Sequence, residues 1–285
     1  MNPLIAQKRK EYHNALIKSG ILTVDKNGIP SNADKDSRLS KTISALIAKQ
    51  LEAETHEKTE GQTLGGKFES VTMNFIRDTF LHLGNLRPGK WHVERLGNRN
   101  AIKTFSFVQY EHLEYLKKVT KHDIQLASTL GNDYMVAPDI VIYREPEPDE
   151  IINRQEYLVN DSVAMLSNMR MKCNSLPILH ASISAKWTMR SDRAQNSRTE
   201  ALGLIRNRKG HLPHIDVVTA EPLPSRLASL ALGTGDIDCL YHFALYELVN
   251  AVKSTDAEDS IEMLNILING KRLKDISDLP LDLAV

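Results

Sequence analysis

The stretch ILHASISAKWTM, residues 178–189, decides how this chain is read. It is rich in residues that suit a strand, and a strand turns successive side chains to opposite faces. That period puts His180, Ser182, Ser184 and Lys186 on one face and Ala181, Ile183, Ala185 and Trp187 on the other. One face is apolar; the other is polar and ends in a lysine. Such a lysine is ordinarily a solvated edge residue, so its neighbours must decide whether this one is.

Working outward, YMVAPDIVIY (134–143) reads as a strand upstream and HIDVVTA (214–220) as a third downstream, with a helix over about 195–208 before the latter. The first third reads helical. A helix over 3–18 stops at Gly20, one over 38–53 carries Leu39, Ile43, Leu46, Ile47 and Leu51 as its stripe, and one over about 63–83 carries Phe68, Val71, Phe75 and Leu83. Asn27-Gly28 centres a turn between the first two. The C-terminal part returns to helix: 237–252 on a 3.6-residue period after a cap at Asp236, then 256–268 behind a capping box of Thr255 and Glu258. No repeat or Pro/Ser-rich linker divides the chain, so residues 1–285 are expected to form one domain. Central strands with helices before, between and after them predict an α/β sandwich.

With 41% apolar and 25% charged residues the chain can bury a core, and no apolar run is long enough to cross a bilayer. No membrane partner is expected. The N-terminal twenty residues have their charges inside the apolar pattern, which reads as a helix rather than a signal peptide. Two cysteines, Cys173 and Cys239, make no disulfide framework, so the expected compartment is the cytoplasm. The 36 basic and 36 acidic residues cancel, which argues against a general DNA coat. The charge is nevertheless patterned. From Lys186 to Lys209 there are seven basic residues against only Asp192 and Glu200. A locally basic stripe on a neutral protein fits a specific DNA reader.

Three pieces carry the chemistry. Asp139 follows Pro138 in an apolar strand, where an acid is disfavoured unless it is paired or binds metal; a strand-end turn is the alternative. Lys186 ends the polar face of the strand quoted above. Glu200 lies in the next helix, on a face with Leu204 and beside the Ala201, Leu204 and Ile205 stripe, so its carboxylate is held at the sheet; a surface ion pair is the alternative. Each alone is ambiguous. Together, two carboxylates and a lysine at one sheet edge are what metal-assisted phosphodiester hydrolysis needs. Carboxylates hold Mg²⁺, and a lysine can orient the attacking water and stabilise the transition state.

Pro138-Asp139, then Ser184-Ala185-Lys186 with 46 residues between Asp139 and the lysine, then Glu200 fourteen positions on resembles the PD-(D/E)XK nuclease superfamily. Its usual acid two residues before the lysine is here Ser184. In the CCGG-cutting restriction endonucleases that acid is displaced to the following helix, where Glu200 stands. SNAD (31–34), RSDRAQN (190–196), RNRKG (206–210), VVTAEP (217–222) and ALGTG (231–235) extend the resemblance to that family. It implies a restriction-endonuclease-like sandwich, with a central mixed β-sheet flanked by helices. It adds Glu69 to the catalytic set of Asp139, Ser184, Lys186 and Glu200. Metal ligands would be Asp139, Glu69, Glu200 and the Ala185 carbonyl. It also implies that Gln62 enters the minor groove and that Asp34 and Arg226 read the outermost base pair.

The reading segment has its own physical sense. Arginine donates to guanine O6 and N7, and aspartate accepts from cytosine N4. Arg190, Asp192 and Arg193, directly after the catalytic strand, suit adjacent G·C pairs; a solvated charged loop is the alternative. The expected activity is Mg²⁺-dependent cleavage of double-stranded DNA at a palindrome with a CCGG core, GCCGGC being the favoured form, leaving 5′-phosphate ends. A palindrome requires a two-fold dimer at least, and the family resemblance implies a homotetramer. The apolar stripes of 237–252 and 256–268 offer surface for those contacts, and core packing explains them equally well. A repair or structure-specific nuclease, or a catalytically silent DNA-binding regulator, are the rival readings. His211-Leu-Pro-His214 lacks further zinc ligands, and ALGTGD lacks the Lys-Ser/Thr of a phosphate loop.

Overall fold

A computed structural model describes residues 2–53, 61–96, 104, 106–130, 138–233 and 235–285. Its centre is a six-stranded sheet in the order β1-β2-β3-β4-β5-β6. The strands are β1 (Trp91–Arg95), β2 (Ile140–Arg144), β3 (Ile178–Lys186), β4 (His214–Thr219), β5 (Cys239–His242) and β6 (Leu273–Asp275). The first three pair antiparallel and the last four parallel, so the sheet is mixed. The α/β expectation holds.

Three helices precede the sheet: α1 (Leu4–Lys18), α2 (Arg38–Gln50) and α3 (Gly61–Phe80). Between β1 and β3 lie α4 (His112–Thr120), α5 (Ile124–Leu130) and the short α6 (Asp149–Ile152). The parallel crossovers carry α7 (Ser191–Asn207), α8 (Pro224–Ala231), α9 (Leu245–Lys253) and α10 (Glu258–Asn269), and α11 (Leu279–Asp282) closes the chain. The expected stop after α1 is real: Gly20 has φ +70°, a conformation that L side chains rarely adopt, and its N–H caps the Ile17 carbonyl. The Asn27-Gly28 turn is real as well, with the Asp25 carboxylate accepting from the Asn27 and Ile29 N–H groups.

Two helical layers sandwich the sheet. On one face α3 packs against β1 and β3, with Phe68 edge-on to Trp187 at 5.1 Å between ring centres. On the other face α7 meets β3, where Ser197 Oγ lies 3.2 Å from Ser184 Oγ. The alternation read from the 178–189 stretch thus delivers Trp187 to one layer and Ser184 to the other.

The structure corrects several expectations. The helix expected over 237–252 is a strand followed by a helix. Cys239–His242 form β5 between β4 and β6, and α9 starts only at Leu245. A strand buried on both faces is a short continuous apolar run, which periodicity cannot tell from buried helix. The capping box does not form. Ala257 precedes α10 without a side-chain cap, and the Thr255 hydroxyl donates instead to the Val252 carbonyl at the end of α9. Helix α7 begins at Ser191, four residues before the expected start, so the charged segment after β3 is its first turn rather than a loop. Asp139 stands just before β2 rather than inside a strand, and the expected strand residues 134–137 lie outside the described residues. His180 leaves the polar row of β3. A register shift opposite Ile142/Tyr143 interrupts the pairing there, and the His180 ring packs among Phe80 of α3, Trp91 and His214. Strands β1 and β6 are too short to stand out in the sequence.

Candidate active site

β3 delivers its C-terminal end to a carboxylate. Asp139 is 1% exposed, and three donors face its Oδ2: the Ala185 N–H at 2.8 Å, the Lys186 Nζ at 2.8 Å and the Ser184 Oγ at 3.5 Å. Among the described residues Oδ1 takes no hydrogen bond. Antiparallel pairing of β2 with β3, with Ile140 opposite Ile183, puts Asp139 level with Ser184 and Ala185. Lys186 is therefore no solvated edge residue; its side chain is only 18% exposed and forms an ion pair with Asp139. A backbone N–H and an ammonium on one buried carboxylate oxygen are charge-assisted bonds, which is what makes its burial tolerable.

Two further carboxylates act on this pair. Burial pushes the Glu200 carboxyl up to about 7; the negative charges of Asp139 and Glu69 add to that, while Lys186 and the Ser184 hydroxyl oppose it. Burial likewise raises Glu69, with Asp139 adding and the Arg95 guanidinium opposing. Arg95 Nε lies 2.7 Å from Glu69 Oε2. Burial works against the Lys186 ammonium, but Asp139, Glu200 and Glu69 together hold its pKa above the ordinary lysine value. Three acids from three elements (β2's approach, α3 and α7) thus feel one another's charge around a single lysine.

That mutual strain is the observation that bears on a cation. Oxygen-only donors, an excess of negative charge and two carboxyls driven toward protonation fit a hard divalent ion. Among the described residues no three His, Cys, Asp or Glu side chains already stand together at metal-ligating spacing; Lys186 pairs with Asp139 and Arg95 with Glu69. Ala185, whose carbonyl the sequence nominates as a ligand, is buried next to the pair.

The residues expected to read DNA divide into two groups. Arg190 is exposed at the N-cap of α7, and Asp192 is exposed in its first turn. Arg193 is half-buried, its Nη1 donating to the Thr188 hydroxyl at 2.5 Å and to the Thr188 carbonyl at 3.3 Å. Beside them, Asp34 and Arg226 form an ion pair. Together with Asp36, Met189, Arg190 and Ser229 they bound a depression of about 350 Å³. The structure thus brings Asp34 and Arg226, distant in sequence, next to Arg190. Gln62 lies in α3, and its side chain falls outside the described residues.

Three residues escaped the sequence reading. Arg95 was hidden in a strand too short to recognise, and Ser197 looked like any helix serine. Glu221 is buried at the end of β4, where its carboxylate accepts the Met189 and Leu223 N–H groups. An acid directly after the apolar run of β4 was the only signal for it.

The family model of the NgoMIV restriction enzyme matches residues 12–285. The type II restriction enzyme NgoMIV of Neisseria gonorrhoeae is 50% identical over 286 residues, covering 100% of both chains. Among solved structures, the type IIF restriction endonuclease Bse634I with cognate DNA superposes with a TM-score of 0.35 at 18% identity, over 90% of this chain and 92% of that one. A second Bse634I structure gives 0.36 at 17% identity, over 83% and 89%.

Proposed function

The chain belongs to the NgoMIV restriction enzyme family and is a type II site-specific deoxyribonuclease, and on that premise we propose that it cuts both strands of a palindrome with a CCGG core, GCCGGC, using Mg²⁺. The observation that carries the catalytic assignment is the convergence on Asp139 Oδ2 of the Ala185 N–H and the Lys186 ammonium, with Glu200 and Glu69 both close enough for the charge of Asp139 to raise their pKa.

Asp139, Glu69, Glu200 and the Ala185 carbonyl would hold the ion. When bound, Mg²⁺ supplies Lewis acidity toward the phosphate and eases deprotonation of water. Lys186, held at the end of β3, orients the attacking water and stabilises charge on the phosphoryl oxygens in the transition state. Ser184 takes the place of the second strand carboxylate and ties Asp139 to α7 through Ser197. Water oxygen attacks phosphorus in line, the bond to the 3′-oxygen breaks, and the products are a 5′-phosphate and a 3′-hydroxyl that has gained a proton.

Arg190, Asp192 and Arg193 project from the first turn of α7 to read the G·C pairs of the core, and Asp34 with Arg226 reads the outer pair, while Gln62 enters the minor groove. A repair nuclease would need the catalytic set but not this reader. Digestion of methylation-free plasmid in Mg²⁺ separates the readings: discrete bands support a restriction enzyme, and a smear or intact plasmid contradicts it.

One active site cuts one strand, so the cutter of a palindrome is at least a C₂ dimer. We infer a homotetramer acting in the cytoplasm. Much of the stripe that the C-terminal helices offered is core: Leu245, Leu248, Ala251 and Val252 of α9 and Leu264 and Leu267 of α10 are buried, while Tyr246 and Ile266 of the same helices are exposed. Exposed apolar side chains gather instead in residues 151–171, among them Tyr157, Leu158, Met165 and Leu166, the last 95% exposed. A cluster of this kind supports association. Among the described residues no helix is long and apolar enough to cross a membrane.

A further inference from the structure

Three segments distant in the chain meet at Ala220-Glu221. Asn32, two residues before Asp34, donates its Nδ2 to the Ala220 carbonyl at 2.9 Å. The Glu221 side chain, 1% exposed, takes the Met189 N–H on Oε2 at 2.9 Å and the Leu223 N–H on Oε1 at 3.2 Å. Arg226 Nη1 lies 3.7 Å from the same Oε2, while its Nη2 donates to Asp34.

Met189 is the residue before Arg190. Leu223 precedes α8, which carries Arg226. One carboxylate therefore spans the segment that presents Arg190 and the segment that presents Arg226, with one oxygen for each backbone. Burying a carboxylate is expensive unless its oxygens are satisfied, and an apolar side chain here would leave two buried N–H groups without a partner. Base reading also has a narrow tolerance, because contacts must be held within about 0.5 Å of the productive geometry.

We propose that Glu221 is a positioning residue for sequence discrimination, its carboxylate setting the spacing between the Arg190 segment and the Arg226–Asp34 pair. The proposal rests on the reading in which that pair recognises the outer base pair. Glu221→Gln keeps the shape but presents an amide NH₂ to one of the two backbone donors and removes the charge facing Arg226. Arg226 is the side chain that faces both Glu221 and Asp34, so the Arg226–Asp34 pair is the contact that the lost charge disturbs most directly.

The test is kcat/KM on three duplexes: GCCGGC, the same site with its outer pair exchanged, and the same site with its central pairs exchanged. Glu221→Gln is expected to lower the preference for GCCGGC over the outer-exchanged duplex about tenfold, the loss of one good base contact, and to keep the preference over the centre-exchanged duplex. These ratios do not depend on the fraction of folded enzyme. Should Glu221→Gln yield no folded protein, Glu221→Asp, which retracts the same charge by one methylene, is expected to lose the same ratio. A uniform fall on all three duplexes, or unchanged ratios, overturns the positioning role. Arg226→Ala, run in parallel, tests the underlying reading. If it leaves outer-pair preference intact, that reading fails and this proposal with it. If it abolishes the preference while Glu221→Gln does not, only the positioning role fails.

Discussion

The Lys186 ammonium lies 2.8 Å from Asp139 Oδ2, the oxygen that also accepts the N–H of Ala185. Consecutive residues of one strand thus grip a carboxylate delivered by its neighbour. The backbone bond fixes where Asp139 sits, and the ion pair fixes the rotamer of Lys186. The Asp139–Lys186 pair is assembled by β-sheet register.

Lys186→Ala should therefore remove catalysis without removing recognition. We expect cleavage to fall by at least about 10²–10³-fold, the worth of one transition-state donor. Binding to GCCGGC in a gel shift with Ca²⁺, which can bridge carboxylates and phosphate without fixing the water as well, should stay within severalfold of the unmodified chain. Leaving the Asp139 carboxylate buried without its ammonium should also destabilise the metal-free protein by up to about 3 kcal/mol. Brisk cutting by the variant would take Lys186 out of the mechanism.

Glu200 gives a pH signature of the unliganded site. Burial lifts its carboxyl from 4.5 to about 7, so folding favours the protonated form. The stability from this group is fully present below its unfolded value and is lost as pH rises through about 7. In EDTA, the Tm of the unmodified chain should fall relative to that of Glu200→Gln between about pH 5 and pH 8, and Mg²⁺ should narrow the gap at high pH. Thermal melts of both proteins across that range check it; parallel profiles would mean that Glu200 is not held in the acidic cluster.

How much of this was legible in the sequence depends on whether a signal is local. The two faces of β3 follow from alternation alone, and Trp187 and Ser184 occupy opposite layers as expected. Asp139 stood out as a charge in an apolar run, and Lys186 and Glu200, each ambiguous alone, stood out only in combination with it. His180 broke the alternation because a register shift depends on the partner strand, which no single-strand pattern contains. β5 was misread because a strand buried on both faces carries no period. Arg95, Ser197 and Glu221 were missed for a related reason. Each matters through a contact with a residue distant in sequence, and nothing in its own neighbourhood marks it.

Arg193 is held against Thr188 at the start of α7, so its guanidinium has a defined direction. Arg193→Ala should cost about 1–3 kcal/mol of discrimination per half-site, concentrated at one G·C pair and its symmetry mate. Competition binding across single-pair variants of the site measures this. Equal weakening on every sequence would make Arg193 a phosphate contact instead.

The exposed apolar side chains of residues 151–171 are the candidate contact surface for the inferred tetramer. Sedimentation should give four copies of the 32.1 kDa chain, and plasmids with two sites should be cut faster than those with one. Replacing Leu166 and Met165 by serine should shift the tetramer toward dimers. A stable dimer with equal rates on both plasmids would refute the tetramer and leave the nuclease assignment standing.

One constellation, Asp139 with Lys186, Glu200 and Glu69, is proposed to cut where the adjoining α7 segment reads. Sequencing every fragment end from a limit digest of methylation-free genomic DNA in Mg²⁺ tests both halves at once. All ends should carry 5′-phosphate and fall within GCCGGC, with no ends from Lys186→Ala. Ends scattered over unrelated sequences, or ends at a palindrome without a CCGG core, would contradict it.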